Sequence, residues 1–68
     1  MKTILINGTI YVLDNNIRSI SKYIVNKKEY QIVFEYNDGQ RKWEVFIDKE
    51  TRDAAFDEIY TTMKELWK

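Results

Sequence analysis

Between Tyr30 and Ile47 the chain reads YQIVFEYNDGQRKWEVFI, two runs of alternating character on either side of Asp38-Gly39. An Asp-Gly pair in this setting is a strong hairpin signal, because glycine takes up the positive φ that a two-residue type I′ turn demands. Counting outward from a two-residue turn predicts the pairs Tyr36–Arg41, Glu35–Lys42, Phe34–Trp43, Val33–Glu44 and Ile32–Val45. Opposite charges then meet on one face and aromatic or branched side chains on the other, each pair contributing about 0.2–1 kcal/mol. Side chains alternate along a strand, so a slip of one residue would exchange the two faces.

The same signal occurs upstream. Thr3 to Ile6, Asn7-Gly8 and Thr9 to Leu13 read as a first hairpin with a type I′ turn. Asp14-Asn15-Asn16 ends it, and Ile17 and Ile20, three residues apart, suit a turn better than a strand. A strand is expected from about Ser19 to Val25, followed by a polar turn at Asn26-Lys27-Lys28-Glu29.

From Asp48 the hydrophobic period changes from two to 3.6. Asp48 is placed to cap a helix, with Glu50 and Asp53 near its positive end and Lys64 and Lys68 towards the other. Phe56, Ile59, Tyr60, Met63 and Trp67 form the expected buried stripe, with Ala55 and Leu66 on its flank. Asp53, Asp57, Thr61, Lys64 and Glu65 fall on the opposite face. The fold class is therefore α+β. An antiparallel β-meander of about five strands precedes one C-terminal amphipathic helix packed on the sheet, and residues 1–68 form a single β-β-β-β-β-α domain.

In this register Tyr30, Ile32, Phe34, Trp43, Val45 and Ile47 face the helix, which leaves Val33 and Phe46 on the far side. The first three strands are apolar on both faces as well: Leu5 and Ile10 oppose Ile4, Ile6 and Tyr11, while Tyr23 and Val25 oppose Ile20 and Ile24. One helix cannot cover both faces. Either the sheet curls into a small barrel, or its second face meets another molecule.

Composition narrows the function further. The 68 residues carry 11 basic and 11 acidic side chains, so no global field steers the chain onto nucleic acid or an anionic membrane. With no Cys or His, disulfides and the usual zinc sites are closed to it; packing must supply the stability, and a homodimer would help. The opening MKTILINGTIYVL lacks the sustained apolar run of a signal peptide, and no segment reaches the length of a membrane span. A cytoplasmic location fits the absence of cysteine, and Asn7-Gly8-Thr9 reads as a turn, not a glycosylation site. Richness in Lys, Ile, Asn and Tyr suggests an AT-rich source such as a low-GC bacterium or its phage.

Patterns suggestive of catalysis fail on geometry. Ser19-Ile20-Ser21-Lys22 matches S-x-x-K, but on a strand the Ser and Lys point to opposite faces. Asp48, Glu50, Asp53, Asp57 and Glu58 are explained by helix capping and solvation, with only Asp53 and Asp57 sharing a helix face. Glu35 and Glu44 are expected on an exposed face without a cleft. Both glycines are assigned to turns, leaving none for a phosphate-cradling loop. No catalytic residue, cofactor or metal is expected, and the chain reads as no enzyme.

A strand-rich meander followed by one helix resembles, in layout, the single-strand-binding transcription cofactors. Independently of that layout, basic residues interleaved with aromatics could bind single-stranded nucleic acid on a sheet face, the candidates being Lys22, Lys27, Lys28, Arg41 and Lys42, with Tyr11, Tyr23, Phe46 and Trp43 as stacking platforms. The layout from Leu13 to Ser21, the hairpin, and the helix opened by Asp48 to Phe56 is also similar to that of many short bacterial and phage proteins with no common activity. The favoured expectation is a small protein-interaction domain, such as a phage or mobile-element accessory protein. It would bind itself as a homodimer or bind another (host) protein through Val33, Phe46, Tyr11 and Tyr23, with single-stranded nucleic acid as the alternative partner and no membrane.

Overall fold

The computed structural model describes residues 2–67; Lys68, expected near the helix end, lies outside them. The elements follow in the order β1 (Lys2–Ile6), β2 (Thr9–Leu13), β3 (Ile17–Val25), β4 (Glu29–Tyr36), β5 (Arg41–Phe46) and α1 (Lys49–Leu66). All strand pairs are antiparallel, and they divide into a β1–β2 sheet and a β3–β4–β5 sheet. The α+β class and the β-β-β-β-β-α order are those read from the sequence.

The first hairpin closes on Ile6 opposite Thr9. Its two turn residues, Asn7 and Gly8, take φ of 50° and 85°, as a type I′ turn requires. Ile4, Ile6, Tyr11 and Leu13 are buried, while Leu5 and Ile10 on the other face are each 67% exposed.

The second hairpin differs from its expected register by one residue. Tyr36 lies opposite Gln40, its N–H donating to the Gln40 carbonyl at 2.9 Å, so the loop holds Asn37, Asp38 and Gly39. The Gly39 N–H closes a turn on the Tyr36 carbonyl at 3.0 Å, and Gly39, unlike Asp38, has positive φ (90°). This is a type I turn followed by a left-handed glycine, the common three-residue hairpin loop. The Asp38 carboxylate accepts from the Gln40 N–H at 2.9 Å, which steadies the longer loop. The observed pairs are therefore Glu35–Arg41, Phe34–Lys42, Val33–Trp43, Ile32–Glu44, Gln31–Val45 and Tyr30–Phe46. The odd and even residues of β5 exchange faces relative to expectation. Phe46 enters the core at 5% exposure, whereas Trp43 and Val45 face outward, and Ile47, past the end of the strand, is 95% exposed.

β3 begins at Ile17, earlier than expected. Ile17 lies opposite Tyr36, while Ser19 lies opposite Glu35, leaving Arg18 as a bulge. The extra residue puts Ile17 and Ile20 on the same side, opposite Tyr36 and Phe34 respectively. Their three-residue spacing thus records a bulge within a strand instead of a turn before it. In the tight β3–β4 turn Asn26 and Lys27 take φ of 54° and 58°, and the Lys28 N–H donates to the Val25 carbonyl at 3.1 Å.

The helix is capped as expected: the Asp48 side chain accepts from the Thr51 N–H at 2.7 Å. At its other end the Trp67 N–H donates to the Met63 carbonyl at 2.8 Å and the Trp67 indole N–H to the Ile17 carbonyl at 3.1 Å. Its fully buried positions are Arg52, Ile59 and Met63, with Ala55, Phe56 and Leu66 packed beside the core. The stripe is therefore turned towards Arg52 and Leu66, and Tyr60 and Trp67, expected at its centre, are exposed on its margin. Ile59 and Met63 join Ile32, Phe34 and Phe46 from the larger sheet and Ile4, Ile6, Tyr11 and Leu13 from the smaller in one core.

Candidate interaction surface

Alternation along the three strands of the larger sheet determines what its outer face carries. The inner face takes Ile20, Lys22 and Ile24 from β3, Tyr30, Ile32 and Phe34 from β4, and Lys42, Glu44 and Phe46 from β5. The outer face therefore presents Ser19, Ser21, Tyr23 and Val25, then Gln31, Val33 and Glu35, then Arg41, Trp43 and Val45. Tyr23 (52% exposed), Trp43 (59%) and Val45 (43%) form an open patch around the half-buried Val33. A shallow concavity of about 310 Å³ lies over it, lined by Tyr23, Val33 and Trp43 and edged by Gln31, Glu35 and Arg41.

One end of the patch is ionic. The Arg18 guanidinium meets the Glu35 carboxylate at 2.9 Å, and Arg41 stands 3.6 Å from the same oxygen. The hydrogen bond from Arg18, aided by the Arg41 charge, holds the Glu35 carboxyl below the usual carboxylate range. The patch is thus apolar and aromatic at its centre and charged at its rim, the usual anatomy of a protein interface.

Two of the four interface residues read from the sequence belong here, Val33 and Tyr23. Phe46 and Tyr11 do not. The three-residue loop turns Phe46 into the core. Tyr11 sits on the inner face of the first hairpin, stacked on Phe34 with centroids 4.7 Å apart, its hydroxyl donating to Glu44. Burial, and then the Glu44 carboxylate, push the Tyr11 phenol well above its ordinary pKa. Trp43 and Val45 occupy the outer face instead. The signal that would have found them is the loop length, since Asn37-Asp38-Gly39 serves a three-residue turn as well as Asp38-Gly39 serves a two-residue one.

The five cations proposed for nucleic acid are dispersed. Lys22 lies on the inner face, 3.7 Å from Asp53 and 4.9 Å from the centroid of the Phe56 ring. Lys42 is also inward, over the Tyr36 ring at 5.7 Å. Arg41 alone joins the outer patch, beside Glu35, while Lys27 and Lys28 occupy the β3–β4 turn. Two of the stacking platforms, Tyr11 and Phe46, are buried. Glu35 and Glu44 project from opposite faces instead of sharing one. Among the described residues no group of three or more His, Cys, Asp or Glu gathers to hold a metal ion, and no helix is long and apolar enough to cross a membrane.

Fold and surface together define a small α+β chain with one sheet face packed on a helix and the other bearing an open aromatic patch. Compared with known proteins, the chain matches no family model, no curated protein and no solved structure.

Proposed function

We propose that the chain is a non-enzymatic protein-interaction domain that docks a second copy of itself on the outer face of β3–β4–β5. The observation that carries this reading is the grouping of Tyr23, Trp43 and Val45, all exposed, around Val33 on the face turned away from the helix. Large aromatic side chains supply most of the energy at interfaces, and leaving a tryptophan and a tyrosine in water on one sheet face forgoes that energy. A second copy is favoured over a foreign partner by the rim. Two-fold docking places the same patch on both sides, and Arg41 beside Glu35 offers each copy a complementary charge to the other.

The test is the oligomeric state of the intact chain and of Trp43→Glu, read by light scattering and sedimentation over a wide concentration range. Dimers that dissociate to folded monomers on substitution, with circular dichroism unchanged, support the proposal. A wild-type chain that stays monomeric at millimolar concentration, with Trp43 emission (in a Trp67→Phe background) independent of concentration, overturns it.

A further inference from the structure

β2 and β5 face one another as the neighbouring edges of the two sheets. Asn7, in the turn just before β2, donates its side-chain N–H to the Val45 carbonyl at 2.9 Å, near the end of β5. Beyond the other end of β2, Asn15 and Asn16 accept from Asn37 at 2.8 Å each. The two strands thus run antiparallel, yet among the described residues no ladder joins them. Between β2 and the β4–β5 loop with the start of β5 lies a cavity of about 780 Å³, whose lining includes Thr9, Ile10, Tyr11 and Val12 in unbroken succession on one side and Asn37, Asp38, Gln40 and Lys42 on the other. Successive side chains point to opposite faces, so four consecutive residues can line one cavity only along their shared strand edge.

The register says which main-chain groups that edge offers. The two-residue turn makes Ile6–Thr9 a hydrogen-bonded pair, and with alternation Ile4–Tyr11 is another. Ile10 and Val12 occupy the intervening pairs, and their N–H and C=O groups point away from β1 into the slot. The same reasoning on the second hairpin turns the main chain of Trp43 and Val45 towards β2. The bond from Asn7 to the Val45 carbonyl is independent support for that geometry. Of the other edges, β1 carries one charge, Lys2 at its start, and those of β3 and β5 are guarded. β3 has the Arg18 bulge and the inward Lys22, and β5 has inward Lys42 and Glu44. β2, TIYVL, carries neither a charge nor a bulge. The slot's charged side chains are Asp14, Asp38 and Lys42, an acidic excess.

We infer that the slot takes a short extended peptide bearing lysine or arginine, added antiparallel to β2 through the main chain of Ile10 and Val12. Asn7 closes one end and Asn37 the other, so the segment is no longer than the five residues of β2 between them, about 17 Å at ~3.4 Å per residue. It enters as a chain terminus or a tight loop, because a strand running straight through would break both closures. The carboxylates of Asp14 and Asp38 select its charge. This surface is separate from the Trp43 patch, and either can fail without the other.

The probe is acetyl-VKVK-amide, titrated into the ¹⁵N-labelled full chain at low salt. The amide signals of Ile10 and Val12 should move and their hydrogen exchange should slow, with the signals of Tyr23 and Val33, away from the slot, unchanged. Acetyl-VEVE-amide should bind about tenfold more weakly, and a probe N-methylated at alternate amides should lose binding about tenfold or more, each tenfold being one modest interaction. Ile10→Pro should weaken the lysine peptide similarly, because the N–H it removes faces the slot and not β1. Ile10 and Val12 signals unmoved at millimolar peptide, or equal binding of the N-methylated probe, would overturn the inference. If Ile10→Pro does not fold, the N-methylated probe decides the matter on the unaltered protein.

Discussion

The most unexpected residue is Arg52, a charged side chain only 4% exposed in the first turns of the helix. Its Nε donates to Asp53 at 2.7 Å, its Nη1 donates to the Tyr23 carbonyl at 3.1 Å, and its guanidinium lies 5.3 Å from the Tyr30 ring centroid. Asp53 also meets Lys22, so helix and sheet share a small ionic knot. Burying an arginine is tolerable only when its donors are satisfied, and its stem contributes apolar packing as well. Arg52→Ala is expected to cost about 2–3 kcal/mol in urea unfolding, since it removes both the stem and a charge-assisted hydrogen bond. Arg52→Met should recover part of that loss by restoring the stem, and an equal loss in both variants would show that packing plays no part. Lys27 is the converse case, a side chain held at φ of 58°. Its left-handed backbone costs roughly 1–2 kcal/mol without glycine's freedom, so Lys27→Gly should raise stability, by about 0.5–1 kcal/mol after glycine's own entropy is counted. An unchanged or lower unfolding midpoint would contradict this.

At the scale of elements, what was legible in the sequence depended on whether a signal had one structural solution. Asn7-Gly8 had one, because two residues with positive φ in succession define a type I′ turn, and both faces of β1 and β2 followed correctly. Asp38-Gly39 had two, differing by a single residue of loop. Both place Gly39 at positive φ, and local propensity does not separate them. The choice was made by the core, which takes Phe46 beside Tyr30 and sends Trp43 outward. The helix start was legible because Asp48 can cap only the turn that follows it, whereas the helix stripe was misjudged at Arg52, whose charge concealed its place in line with Ile59 and Met63. The β5 phase is directly testable. Phe46→Ala should cost about 3–5 kcal/mol in chemical unfolding, while Trp43→Ala should cost well under about 1 kcal/mol in the monomer. The opposite ranking would restore the two-residue loop. The cap has a pH signature. Hydrogen bonds from Thr51, the backbone N–H first, hold the Asp48 carboxyl below its ordinary value. Its contribution is therefore complete above the unfolded pKa of about 4 and is lost as pH falls through the lower folded value. In a Thr51→Pro variant, which lacks the N–H, acid should remove less helical circular dichroism between those limits.

Across the whole molecule, the two sheets are held together by a shared core, by Asn7 and by the Tyr11 hydroxyl on Glu44. Closure of the strands into a barrel, one of the two outcomes open to a sheet apolar on both faces, does not occur among the described residues, because β2 and β5 remain unpaired. Tyr11 takes over part of the linking that a ladder would have supplied: its ring packs on Phe34 of one sheet from a strand of the other, and its hydroxyl reaches β5. This arrangement is incompatible with a phenolate. Ionised, Tyr11 would bring a second negative charge against Glu44 in a buried position and lose its only proton to donate. Tyr36 is also raised, by burial first and then by the Asp14 and Asp38 carboxylates. The sign of the linkage follows: both phenols have folded pKa values above the unfolded value of about 10, so above that pH the unfolded chain releases protons that the folded chain keeps. Stability is therefore unaffected by these groups below about pH 9 and falls as pH rises beyond 10, with a slope of about 1.4 kcal/mol per pH unit from Tyr11 alone. Tyr11→Phe keeps the ring and removes the proton, so it should be less stable than wild type at neutral pH yet lose stability more slowly in base. Urea unfolding at a series of pH values, with phenolate absorbance followed alongside, measures both slopes. Parallel slopes for the two proteins would show that Tyr11 ionises freely in the folded state and does not tie the sheets together.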